Sequence, residues 1–135
     1  HMRVASPRTD CLPTDEGPYH GGDGTAPYPL AYFTSGLTAC IMTQLRAFSK
    51  RLKIDVTDFS VNCRCQWMAE MEGPSDPYKS SGVAFTLDID VGDRATLEDK
   101  KRLVAAAEQG CFIEVCLKPG LVNHRLKHKG EWLEV

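Results

Sequence analysis

Between Pro29 and Leu52 the apolar positions recur at three- and four-residue steps: Leu30, Phe33, Leu37, Ile41, Leu45, Phe48 and Leu52. That spacing places them on one stripe of an α-helix. Pro29 suits the opening position, where a fixed φ and a missing N–H cost a helix nothing. From Asp55 the period shortens to two. Val56, Phe59, Val61, Cys63, Cys65 and Trp67 predict a strand or two, with Cys63 and Cys65 on one face. A turn follows at 72–77, then a strand from Gly82 to Val91 carrying Val83, Phe85, Leu87 and Ile89. Thr96 with Asp99 three residues on is a weak capping box. The second helix it opens has the stripe Leu97, Val104, Ala107, Cys111 and Val115, and Lys118-Pro119-Gly120 stops it. Leu121–Leu126 and Glu131–Val135 flank Lys129-Gly130 as a terminal hairpin. Helix, strands, helix, hairpin is the order of an α+β domain.

The N-terminal stretch 3–28 has no such periodicity. Pro7, Pro13, Pro18 and Pro27 alternate with Gly17, Gly21, Gly22 and Gly24, which predicts an irregular arm rather than a repeat. His1-Met2 reads as the remnant of a removed tag, leaving a single domain over 3–135. With 42% hydrophobic and 25% charged residues the chain is not disordered. A net charge of −2 gives no attraction to nucleic acid or to an anionic membrane. No apolar run reaches the roughly 20 residues that span a bilayer. Six cysteines would suit a secreted disulfide framework, but Cys40, Cys111 and Cys116 fall within helical patterns and a chain of 135 residues needs no staples. The expected compartment is the reducing cytoplasm.

The candidate chemistry is therefore that of thiols. Cys40 lies on the flank of the first helical stripe and Cys111 on the second, far apart in the chain, so only the fold can join them. Gly36, Gln44 and Ala47 lie near Cys40 at helical spacing and allow another helix or a partner subunit close to the sulfur. A packed thiol is ordinarily a small hydrophobe, and a reactive one must ionise, from a free value near 8.5. The helix N-terminus gives little help. Cys40 lies eleven residues beyond Pro29, roughly 16 Å along the axis, and the dipole fades within a turn. A cation is required, and Arg8, Arg46, Arg64 and Arg125 are the candidates. Glu114, three residues past Cys111 on the same predicted helical face, offers a carboxylate; an exposed helix glutamate is the ordinary alternative. His20, beside Gly21-Gly22, is a candidate pocket residue. Cys116 reads as packing. No metal site is expected: Cys63-Arg64-Cys65 lacks a second paired ligand set, and His124 with His128 reads as a solvated turn.

The segment Asp15-Glu-Gly-Pro-Tyr-His-Gly-Gly-Asp-Gly-Thr-Ala-Pro-Tyr-Pro-Leu30, followed by Leu37-Thr-Ala-Cys40, resembles the OsmC/Ohr family, as does Ala-Ala-Glu-Gln-Gly-Cys111. Its members carry an acidic-Pro segment, a Gly-Gly turn, a Pro-opened helix with a cysteine about ten residues in, and a second helix with its own cysteine. The resemblance covers roughly residues 15–126. It implies an α+β two-layer fold, a mixed sheet wrapped around two central helices, and an intertwined homodimer. It also implies reduction of organic hydroperoxides without a cofactor, with Cys40 as peroxidatic thiol, Cys111 as resolving thiol and an external dithiol as reductant. Tyr28, Tyr32, Phe33 and Leu37 would line the entry for the organic tail. Three positions depart from the family's peroxidases. Leu30 stands where they carry Glu, Phe112 stands where Pro follows the second cysteine, and only Arg3 and Arg8 remain upstream to supply their arginine. Two other readings stay open. One is a cysteine nucleophile acting on an acyl or other electrophilic carbon, with His20 as base. The other is a non-catalytic dimer binding an apolar small molecule.

Overall fold

The computed structural model describes residues 9–135; His1, Met2, Arg3 and Arg8 lie outside the described residues. Two compact units divide the chain, the first ending at Phe33 and the second running from Thr34 to Val135. Helix α1 (Pro29–Leu52) begins in the first and continues through the second, as its apolar stripe predicts.

The N-terminal unit is organised by one carboxylate. Asp15 accepts hydrogen bonds from the Thr25 amide and hydroxyl, both at 2.9 Å, from the Glu16 amide at 2.8 Å and from the Asp23 amide at 3.2 Å. Those donors, the Thr25 pair foremost, hold its carboxyl below the ordinary aspartate range. The loop can close this tightly because Gly22 lacks a side chain: a Cβ there would sit 2.0 Å from the Glu16 carbonyl oxygen. A 3-10 turn at Pro18–His20 ends on Gly21 at φ 79°, a left-handed conformation that favours glycine. The Tyr32 hydroxyl donates to the Pro13 carbonyl and ties α1's first turns to the arm.

In the second unit the remaining elements are β1 (Ser60–Glu70), β2 (Lys79–Asp90), α2 (Leu97–Gly110), β3 (Val122–His128) and β4 (Glu131–Glu134). The sheet order is β1-β2-β3-β4. β1–β2 and β3–β4 pair antiparallel, whereas β2–β3 pair parallel, with α2 in the connection between them. This is the mixed α+β sheet and helix pair expected. Strand alternation sends Phe85, Leu87 and Ile89 inward, where Leu37, Ile41 and Leu45 of α1 and Leu103, Val104 and Ala107 of α2 complete the core. Each such side chain removed from water stabilises by about 1.5–3 kcal/mol. The opposite face of the sheet is ionic. Asp88 holds both Arg64, at 3.1 Å, and Arg125, at 2.9 Å, while Asp90 holds Lys127 at 2.8 Å.

α2 departs from its sequence reading. Its capping works as expected, Thr96 Oγ accepting from the Asp99 amide at 3.2 Å. The helix then stops at Gly110, well before Lys118, and Cys111 is its C-cap with extended φ −80° and ψ 106°. Gly110 lies against α1, where a Cβ would meet Phe48 Cε2 at 2.6 Å. Past this point the apolar stripe no longer faces the core: Phe112 and Val115 are 71% and 73% exposed. Residues 114–116 form only a 3-10 turn, so Glu114 does not share a helical face with Cys111, and Cys116 is exposed rather than packed.

Candidate thiol site

The fold brings Cys40 and Cys111 into hydrogen-bond contact. Cys40 lies at mid-length of α1 and half-buried; Cys111 is fully buried where α2 breaks. One glycine makes room for this approach: Gly110 presses on Phe48 and Gln44, where a Cβ would lie 2.6 Å from the ring, whereas a Cβ on Gly36, one turn before Cys40, would meet Ile113 Cδ1 at an ordinary 3.4 Å. Burial, then the hydrogen bond to Cys40, pushes the Cys111 thiol up to about 11. The amides of Glu114 and Ile113 point at the Cys111 sulfur and pull in the opposite sense, but burial dominates. None of the six cysteines is paired in a disulfide.

The other predicted residues are placed as follows. Arg64 and Arg125 are both engaged by Asp88. Arg46 is exposed and lines a separate cleft of about 380 Å³ with Lys50, Lys53 and Phe59. Arg8 lies outside the described residues. His20 is exposed in the N-terminal unit, 3.8 Å from a Glu16 carboxylate oxygen and edge-on to Tyr19. Tyr28 and Phe33 are exposed there, at 55% and 40%, and Leu30 is 40% exposed. Leu37 belongs to the core of the second unit.

Glu114 has a partner that sequence reading did not supply. Its carboxylate lies 3.1 Å and 3.3 Å, through its two oxygens, from His124 Nε2. The solvated turn expected for His124 is wrong: the residue is 5% exposed, an inward position of β3 two residues before buried Leu126. That two-residue alternation was readable in His124-Arg125-Leu126; the parallel pairing of β3 with β2 that makes its inner face deep was not. Cys63 and Cys65 face inward from β1 opposite Leu87 and Phe85. Burial raises both thiols, Cys65 to about 11, while the Thr38 hydroxyl partly offsets the rise at Cys63.

Among the described residues no helix is long and apolar enough to cross a membrane. Residues 22–124 match the family model of the OsmC-like proteins. Among solved structures, an OsmC-like hydroperoxide resistance protein from Jannaschia sp. CCS1 is 41% identical, with a TM-score of 0.64 over 90% of this chain and 77% of that one. An organic hydroperoxide resistance protein from Legionella pneumophila is similar in fold at 23% identity, TM-score 0.64, over 87% and 80% of the two chains. So is an OsmC-like protein of unknown function from Vibrio cholerae, at 16% identity and TM-score 0.64 over 85% and 75%. No curated protein matches the sequence significantly. Extent of the family match and identity to the Jannaschia protein agree: the chain belongs to the family of OsmC-like proteins.

Proposed function

We propose that this protein is a thiol-dependent hydroperoxide reductase using Cys40 and Cys111. The observation that carries the reading is the direct hydrogen bond between two thiols from distant parts of the chain, in a family with members named for hydroperoxide resistance. Cys40 as thiolate attacks the outer peroxide oxygen of ROOH. The O–O bond breaks, RO⁻ leaves and takes a proton to become ROH, and Cys40 becomes a sulfenic acid. The Cys111 sulfur then displaces hydroxide from that sulfur, the Cys111 proton leaves with it as water, and a disulfide remains. An external dithiol restores both thiols by exchange and is itself oxidised to a disulfide. Neither metal nor cofactor enters these steps.

Selectivity for organic hydroperoxides fits the exposed apolar residues of the second unit that follow Cys111, Phe112 and Val115. Large apolar side chains in water also favour a homodimer, in which the partner subunit covers them and supplies the cation that Cys40 requires. The site is then completed by assembly.

The test is turnover of cumene hydroperoxide with dithiothreitol as reductant. Wild type should consume peroxide catalytically and Cys40→Ser should not, because a hydroxyl forms no sulfenic acid. Wild type that leaves the peroxide untouched while its thiols remain reduced would refute the reading. If such a protein instead released thiol or alcohol from an activated ester in a Cys40-dependent way, Cys40 would be an acyl nucleophile.

A further inference from the structure

Glu108 in the last turn of α2, Glu114 in the following 3-10 turn and His124 on β3 converge, their ligand atoms all within 4.8 Å of one another. Two carboxylates this close repel each other. The repulsion is aggravated because they gather at the C-terminal, negative end of α2, whose last turn has no basic residue. Among the described residues no lysine or arginine pairs with either glutamate. The ion-pair partner of Glu114 among the described residues is His124, which is buried and sits astride both of its oxygens. Glu114, its side chain only 11% exposed, is the carboxylate that most needs a cation.

We propose that Glu108, Glu114 and His124 bind a divalent first-row transition ion of the zinc type. The donor set decides the class. An imidazole nitrogen selects against Mg²⁺ and Ca²⁺, which take oxygen ligands, and two carboxylates with one histidine suit Zn²⁺. Dimensions agree. Two ligands about 2.0–2.1 Å from a tetrahedral zinc lie about 3.3 Å apart, and His124 Nε2 lies 3.1 and 3.3 Å from the Glu114 oxygens. Glu108 is exposed and free to swing onto the ion. Three protein ligands leave a fourth position for water or a small anion. The ion would join the end of α2, the turn after Cys111 and β3. It would thereby fix the backbone whose Glu114 amide points at the Cys111 sulfur. This inference stands independently of peroxidase activity.

The experiment uses the full chain reduced with a phosphine and titrated with Co²⁺, then Zn²⁺. One equivalent of Co²⁺ should bind with weak visible d–d absorption and without the near-ultraviolet sulfur-to-metal band that thiolate ligation gives. Zn²⁺ should displace it, and Mg²⁺ should not. Glu108→Gln, an exposed change that cannot unfold the protein, should weaken binding by roughly tenfold or more, and His124→Gln should abolish it. The wild-type melting temperature should rise with Zn²⁺ concentration, and that of His124→Gln should not. The proposal falls if wild type binds neither ion at hundreds of micromolar. It falls equally if binding shows the thiolate band, survives Glu108→Gln and disappears with Cys40→Ser or Cys63→Ser.

Discussion

Gly110→Ala probes the contact on which the thiol pair depends. In an unpacked helix the substitution would stabilise, since alanine is favoured over glycine by up to about 1 kcal/mol. Here the new Cβ would lie 2.6 Å from Phe48 Cε2, 2.9 Å from its Cζ and 3.2 Å from Gln44 Oε1. Carbon atoms in contact prefer about 3.5–4.0 Å, so the end of α2 must retreat from α1 by about 1 Å or the ring must turn. Overpacking of this kind costs about 1–3 kcal/mol. The collision outweighs the propensity gain, which is smallest at the last helical residue. Net destabilisation should be about 1–2 kcal/mol, read by urea unfolding at fixed protein concentration.

Since Cys111 is the next residue, the same retreat should slow Cys40–Cys111 disulfide formation after one equivalent of cumene hydroperoxide by roughly tenfold or more. Peptide mapping under non-reducing conditions measures that rate. Adding Phe48→Leu should recover part of both losses, because the atoms struck by the Cβ are gone, giving a coupling energy of about 1 kcal/mol. A Gly110→Ala protein more stable than wild type, forming the disulfide at the normal rate, would refute this account of how the end of the helix packs.

Alkylation should discriminate among the thiols. With Cys65 pushed up to about 11 by burial and then by Cys63, its labelling at pH 8 should be about a thousandfold below its rate well above pH 11. Fast labelling of Cys65 by iodoacetamide in folded protein at pH 8 would contradict that environment. A second test is electrostatic. Lys100 is fully buried with its ammonium 2.5 Å from Asp93, and that hydrogen bond first, then the Lys129 amide, lowers the Asp93 carboxyl below its ordinary 3.8. A depressed folded pKa stabilises fully above the unfolded value and is lost as pH falls through the folded one. Asp93→Asn should therefore destabilise at pH 7, and the gap from wild type should shrink below about pH 4; a gap constant with pH would sink the pairing. The third concerns assembly. Light scattering at low micromolar concentration should give twice the chain mass, and a stable monomer of unchanged helicity would dispose of the homodimer.

Local patterning made much of this architecture legible. The stripe of α1, the alternation of β2, the Thr96 cap and the Lys129-Gly130 turn each concern residues within one or two turns of one another, where periodicity and capping chemistry act directly. What escaped depends on contacts between distant segments. Nothing near Val115 says that the helix has already ended, and the tight packing of its last residue, Gly110, is against Phe48 on another helix. His124 sits two residues from buried Leu126, a signal of strand burial, yet its carboxylate partner comes from the turn after α2. The cysteines show the same division. Cys40 was visible on the flank of one apolar stripe and Cys111 on another, but their contact, and the extended conformation that offers Cys111 to it, belong to the tertiary structure.

That helix break bears on how the thiol pair would work. A disulfide needs sulfurs about 2.05 Å apart and Cα atoms within about 7 Å. A cysteine in mid-helix can approach its partner only by moving the whole helix. Cys111 is followed by a turn that can follow it, the Cys116 amide bonding the Ile113 carbonyl and the Leu117 amide that of Glu114. Its high pKa looks like a handicap for a nucleophile, but the charge state of Cys40 changes during the cycle. A Cys40 thiolate accepts the Cys111 proton in a hydrogen bond and raises the Cys111 pKa by its charge. Once Cys40 is a neutral sulfenic acid that contribution vanishes, and the departing hydroxide takes the proton. Burial, the larger cause, stays in place throughout, so in the proposed cycle it is the loss of the proton to the departing hydroxide that frees the Cys111 sulfur to attack. The consequence is a short-lived sulfenic acid. Dimedone added with the peroxide should label Cys111→Ser protein at Cys40 and leave wild type almost unlabelled. Stoichiometric labelling of wild type, with no Cys40–Cys111 disulfide formed, would show that proximity of the two sulfurs does not make Cys111 the resolving group.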